Sequence, residues 1–110
     1  MYESPIRTTL SPAKARLLDL MQQLNWGRIE NLHVSDGEPL FEPPPRVVRD
    51  IKLGSENGPR NKPFRQDFFV KIQLSELFME LEELGEGVVE RLEVKRGLPY
   101  RLRVETPLEG

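Results

Sequence analysis

The sequence predicts an α+β domain of two helix-then-hairpin units, with two helices on one face of a mostly antiparallel sheet of four or five strands. Three observations predict it. Slid by 60 residues against itself, the chain matches at Leu17/Leu77, Leu24/Leu84, Gly27/Gly87, Glu30/Glu90, Leu32/Leu92, Val34/Val94, Gly37/Gly97 and Pro39/Pro99. Average residue usage would give roughly two identities over that stretch. Each copy opens with apolar residues at helical spacing and then alternates around a glycine turn. An isolated unit of this kind exposes one apolar helix stripe and one apolar sheet face, and two units can bury these against each other.

In the first copy, Leu17, Leu18, Met21 and Leu24 form the helical stripe. Ser11 is placed to cap that helix and Pro12 suits its first turn. Asn25 and Gly27 let the chain leave it. In the second copy, Val70, Leu74, Leu77, Phe78, Leu81 and Leu84 form the stripe, with Asp67 as the cap and Gly85 and Gly87 at the exit. Phe68, Val70, Ile72 and Leu74 also alternate, so a strand over 67–74 followed by a helix from Ser75 is the rival reading. The longer helix is preferred, because the repeat register sets Lys71 opposite Ser11 at the first helix start.

Each helix is followed by a hairpin. Leu32 and Val34 alternate with Asn31 and His33, and Leu92 and Val94 with Arg91 and Glu93. Asp36-Gly37 and Arg96-Gly97 are the turns, where glycine tolerates the positive φ of a tight hairpin. The returning strands are expected at Leu40–Glu42 and Tyr100–Glu105, with Pro39 and Pro99 at their starts. Ile29 and Val89 are out of phase with the apolar positions that follow them. Period-two geometry cannot put all of these on one face, so a bulge or bend is expected near Glu30-Asn31 and Glu90-Arg91.

The whole chain, 1–110, reads as one domain: repeat one over 11–42, a basic Pro-rich connection over 43–66, and repeat two over 67–105. Within the connection, Pro43-Pro44-Pro45 favours polyproline II. Arg46–Leu53 predicts a short fifth strand through Val47, Val48, Ile51 and Leu53, and 54–63 reads as a loop. The stretch from Leu24-Asn25-Trp26-Gly27-Arg28-Ile29-Glu30 to Val34-Ser35-Asp36-Gly37 resembles a family of very small bacterial proteins of unknown function. These combine one helix with a hairpin of this pattern and a short closing strand, which Ile51-Lys52-Leu53 would echo. The second copy departs from the pattern with Arg96 in place of Asp. The resemblance implies a fold and carries over no functional residue.

The chain has 110 residues, 37% of them apolar and 31% charged, a net charge of −2 and no cysteine. Disulfides and thiolate metal sites are excluded, and a reducing, cytoplasmic setting is expected. Met1-Tyr2-Glu3-Ser4-Pro5 has neither the basic nor the apolar region of a signal peptide. No run is apolar for long enough to cross a bilayer, so no membrane partner is expected. Charge is unevenly spread. Residues 46–65 carry Arg46, Arg49, Lys52, Arg60, Lys62 and Arg65 against Asp50 and Glu56. Residues 66–87 carry Lys71 against Asp67, Glu76, Glu80, Glu82, Glu83 and Glu86. Such neighbouring blocks can neutralise each other within one molecule or between copies.

No nucleophile elbow, phosphate loop or dinucleotide fingerprint is present. His33 is the one histidine, so a transition-metal site would have to be completed by carboxylates, and an exposed strand position is the plainer reading. Glu30 and Glu90 hold equivalent positions and would form an acid–base pair if they converged. Their plainer role is to satisfy donors at a strand entrance. The basic segment together with Phe64, Phe68 and Phe69 has the composition of a nucleic-acid surface. The plainer reading is that the phenylalanines dock the second helix into the core while the charges stay solvated. Glu76, Glu80 and Glu83 suit a solvated helix face.

The expected function is therefore a non-enzymatic interaction module without a cofactor, binding an unidentified protein or its own copy as a homo-oligomer. Nucleic-acid binding through Arg46, Arg49, Lys52, Arg60, Lys62 and Arg65 is the alternative, and a small enzyme using Glu30 and Glu90 the second alternative.

Overall fold

The computed structural model describes residues 10–54 and 68–105, with side chains of the second helix described from Ile72 onward. Ser11 begins the first helix, α1 (Pro12–Leu24), because its hydroxyl accepts the Lys14 N–H at 3.2 Å and Pro12 has no N–H to satisfy. The helix ends at Asn25, whose φ of +64° turns the chain out while its N–H still reaches the Met21 carbonyl at 2.9 Å. The second helix, α2 (Phe68–Leu84), stops in the same way. Gly85 has a φ of +69° and donates to Leu81 at 3.0 Å.

Five strands follow from the two hairpins and the connection: β1 (Trp26–Ser35), β2 (Glu38–Leu40), β3 (Arg46–Arg49), β4 (Gly87–Lys95) and β5 (Leu98–Val104). Every pairing is antiparallel. β1 and β4 lie together at the centre, β5 forms one edge, and β2 and β3 lie end to end along the other side of β1. This is the α+β arrangement expected, with five strands.

The central pairing has the same form read from either half. Gly27 faces Val94 while Val34 faces Gly87, and Ile29 faces Leu92 while Leu32 faces Val89. Adding 60 to the first-half residue of one pair gives the second-half residue of its mate. The seams between helix ends and turns are likewise reciprocal. Gly37 N–H donates to the Gly85 carbonyl at 2.9 Å, and Gly97 N–H donates to the Asn25 carbonyl at 2.9 Å. Each hairpin turn thus satisfies an orphan carbonyl at the end of the other half's helix.

Leu17, Leu18, Met21 and Leu24 of α1 and Leu74, Leu77, Phe78 and Leu81 of α2 form one core with Ile29, Leu32, Val34, Val89, Leu92 and Val94. Both helices therefore cover the same face of the sheet. Lys14 is the buried polar residue of this layer. Its ammonium meets Glu82 at 2.8 Å and Glu38 at 3.6 Å and lies 5.8 Å from the Phe78 ring centre. Burial acts to lower its pKa, but the hydrogen bond and charge of Glu82, joined by Glu38, outweigh burial and raise it above 10.5.

The phase change expected in the strands is present. Ile29 and Leu32 are both buried, and Asn31 between them takes a φ of +58°. In the second half the β4–β5 register slips between Val89 and Arg91. The turns at Asp36-Gly37 and Arg96-Gly97 have positive φ at both central residues, the type I′ geometry that suits a twisted hairpin.

Two expectations need correction. The returning strands begin at Glu38 and Leu98, not at Leu40 and Tyr100, and Glu42 and Glu105 lie outside them. A two-residue turn lets pairing resume at once. It leaves Pro39 and Pro99 opposite Val34 and Val94, where a missing N–H faces away from the ladder. The fifth strand stops at Arg49; Ile51 and Leu53 are exposed beyond it, so Arg46–Arg49 closes the first half and not Ile51-Lys52-Leu53. The second helix runs over Phe68–Leu84, the longer helix preferred to a strand followed by a helix from Ser75; its start lies ahead of Lys71, so the two helix starts are not in repeat register. Asp67 and residues 55–66 lie outside the described residues.

The triple proline also finds its place. Val47 faces Ile29 as Val104 faces Val89, yet the first half takes three more residues than the second to get there from Leu40 or Tyr100. That surplus has the length of Pro43-Pro44-Pro45, which splits β2 from β3 where β5 runs on.

Candidate functional site

With both helices on one side, the other face of the sheet is uncovered by any described element. Strand alternation decides what it carries, and register decides which residues are neighbours. Two rows of outward side chains cross it. Reading β3, β1, β4, β5, the first row is Arg46, Glu30, Arg91 and Arg103. The second is Val48, Arg28, Glu93 and Arg101. These rows hold five arginines and two glutamates, and Lys95 beside Trp26 extends the cationic side.

Glu30 is the hub. Its side chain is 16% exposed and accepts from Arg28 Nε at 2.8 Å, with Arg46 Nε at 3.6 Å and Arg91 Nε at 3.7 Å. The hydrogen bond from Arg28 lowers its pKa below 4.5; burial acts against this, and the charges of Arg28, Arg46 and Arg91 add to the lowering. An acid held ionised in this way is a positioning group for arginines and is poorly suited to give up a proton. Glu90 goes elsewhere, to Arg103 Nε at 3.7 Å. It lines an open depression with Asn31, Val88 and Glu105 that Glu30 does not share. The two equivalent carboxylates thus sit near the centre of the sheet but serve separate arginines.

Arg91 and Arg103 are directly opposite each other on β4 and β5. Like charges in that position work against the sheet. Glu30 and Glu90 each reach only one of the two guanidiniums and leave the Arg91 side chain 42% and the Arg103 side chain 65% exposed. The pair is suited to an anion laid across it, because guanidinium forks take carboxylate or phosphate oxygens two at a time.

The basic segment read from the sequence is only partly brought to this face. Arg46 belongs to the first row. Arg49 turns to the helix side, where its Nη2 donates to the Gln23 carbonyl at 3.3 Å. Lys52 is exposed beyond β3, and Arg60, Lys62 and Arg65 lie outside the described residues. His33 is half-buried on the outer face between Leu40 and Val88. Trp26 is 37% exposed opposite Lys95, two residues along β1 from Arg28 of the second row. Among the described residues, no group of three or more His, Asp or Glu side chains is placed to hold a metal ion, and no helix is long and apolar enough to cross a membrane.

Sequence reasoning missed Arg28, Arg91, Arg101 and Arg103. A signal for them exists: each is one step away from a core position, namely Ile29, Leu92 or Leu102. What the chain order hides is the register that lines them up across four strands.

Comparison with protein-family models, curated proteins and solved structures returns no match. A functional reading therefore rests on the surface itself.

Opposite the arginine rows, α2 presents Glu76, Glu80 and Glu83 to solvent. Among the described residues, the arginine rows lie on the outer face of the sheet, and the exposed glutamates Glu76, Glu80 and Glu83 lie on the second helix.

Proposed function

We propose that this chain is a non-enzymatic, cytoplasmic binding module that takes an acidic protein segment on the open face of its sheet. The observation that carries the reading is the pair of cross-strand rows with five arginines on a face no described element covers. Glu30 restrains Arg28, Arg46 and Arg91, and Glu90 restrains Arg103, so less side-chain entropy is lost when an anion arrives. The same glutamates make a poor track for a phosphate backbone, which favours an unbroken cationic groove. They favour a protein partner with its own mixed charges.

The experiment is a fluorescence anisotropy titration against labelled polyglutamate and against single- and double-stranded oligonucleotides, at low and at physiological salt. The reading expects polyglutamate to bind, with affinity falling as salt rises. Arg91→Glu and Arg103→Glu should each weaken it at least tenfold. Tighter binding to oligonucleotides than to polyglutamate transfers the reading to the nucleic-acid alternative. No binding to any polyanion overturns it.

The separation of charge between sheet and α2 supports a second reading, head-to-tail self-association. Two sheet faces would repel each other, whereas the glutamates of one copy complement the arginines of the next. Light scattering should then show a mass that grows with concentration and shrinks with salt. A constant monomer mass removes this reading.

A further inference from the structure

The two edges of the sheet are not alike. On one side, β2 has Pro39 at its middle and the triple proline separates it from β3, so no long run of backbone is open to pairing. Proline and short strands are the usual means of blunting an edge. On the other side, β5 runs unbroken for seven residues. No described strand pairs with its outer side. The Pro99 carbonyl is taken by Gln73 Nε2 at 2.9 Å, which ties α2 over the start of the strand. The open part of the edge is Tyr100 to Val104.

Immediately inside this edge lies a groove between α2 and β5 of about 190 Å³. Leu77, Leu92 and Leu102 are among its lining, with Tyr100 at the rim. Leu77 and Leu92 are buried core residues, Leu102 is half-buried, and Glu76 and Glu80 of α2 line the helix side of the groove. Arg101 also lines this groove, and with Arg103 it ends the two arginine rows on the outer face.

We infer that the β5 edge is a docking strand for an extended protein segment in which acidic and apolar residues alternate. This rests on the binding-module reading and names the form its partner takes. A strand added here continues the β-sheet by one, and its side chains point alternately to the two faces. Those on the outer face meet Arg101 and Arg103 and must be acidic. Those on the inner face enter the groove over Leu77 and Leu102 and must be apolar. A second copy's β5 is a poor occupant. Antiparallel pairing of two such strands about their middle sets Arg101 opposite Arg101 or Arg103 of the other copy, and directly opposed like charges disfavour pairing. The arginines therefore bar self-pairing and select an acidic strand with the same contacts.

The test uses the full chain and a labelled heptapeptide, Glu-Val-Glu-Val-Glu-Val-Glu, with blocked ends. Two further peptides carry backbone N-methyl groups on all valines or on all inner glutamates. In an extended strand, alternate N–H groups point to the same side, so one methylated set removes the donors that face β5 and the other does not. The expected result is binding of the parent peptide, loss of at least tenfold in affinity for one methylated form, and near-parent affinity for the other. Arg103→Glu weakens the parent at least tenfold, and exposed Tyr100→Ala weakens it without harming the fold. Equal binding of all three peptides overturns the edge inference while leaving the charged face as the binding surface. No binding of the parent overturns it too, and polyglutamate bound in the same buffer would show that the face itself still works.

Discussion

Gly27 and Gly87 lie 60 residues apart at the starts of β1 and β4 and are similar in conformation, yet the structure separates the cost of altering them. Their φ values are +150° and +157°, so alanine is strained at both. Strain of this kind costs about 1–3 kcal/mol. The surroundings differ. A Cβ on Gly27 would lie 2.1 Å from the Val48 carbonyl oxygen and 3.0 Å from Arg49 Cα, both backbone atoms of β3. A Cβ on Gly87 would meet chiefly the end of the Leu84 side chain, at 3.1 Å. Leu84 can rotate, whereas β3 must move away from β1 by roughly 1 Å to restore ordinary contact. That movement loosens the pairing of Arg46–Arg49 with Gly27–Glu30. At about 1 kcal/mol per hydrogen bond, losing two of them adds ~2 kcal/mol. Gly27→Ala should therefore be less stable than Gly87→Ala by about 2 kcal/mol, a difference of roughly 8 °C in Tm for a domain of this size. Urea and thermal melts followed by circular dichroism measure both. Variants that agree within about 0.5 kcal/mol would refute the packing argument around β3.

Other outcomes follow from the same contacts. Leu81→Ala, at a fully buried position between helix and sheet, should cost about 2–5 kcal/mol in a urea melt. Lys14→Met removes the cation that ties α1 to Glu82 and Glu38 and should cost about 1–2 kcal/mol. Because the Lys14 pKa is raised on folding, its contribution is complete below pH 10.5 and is lost as pH rises through the folded-state value; the parent should lose more stability on the alkaline limb than Lys14→Met does. Glu30 has the opposite sign. Its lowered pKa gives a contribution present above pH 4.5 and lost as pH falls through the folded-state value, so Glu30→Gln should flatten the acid limb of a pH–stability curve.

Much of the fold was legible because local signals agreed with one another. Ser11-Pro12, the glycine at each turn and the Leu17–Leu24 stripe each specify one conformation, and the structure adopts it. The misplaced phase of Ile29 against Leu32 already specifies an irregular strand. The strand starts were misread because proline was treated as a boundary, when a type I′ turn puts Pro39 at a position whose N–H is not needed. Arg46–Leu53 was read too long, since Ile51 and Leu53 look apolar but find nothing to pack against. The candidate surface was the least legible part. Arg46 appeared in a basic cluster along the chain, but its working neighbours are Glu30, Arg91 and Arg103, from three other strands. Proximity in sequence overvalued Arg49, which bonds a helix carbonyl, and passed over Arg28 and Arg101.

The binding face is tested most directly by amide NMR spectra of the full chain recorded while polyglutamate is added at low salt. The account predicts shifts concentrated at Arg28, Glu30, Arg46, Arg91, Arg101 and Arg103, with α1 and the solvent side of α2 unchanged. Shifts confined to the helices, or a spectrum that does not change, would contradict it.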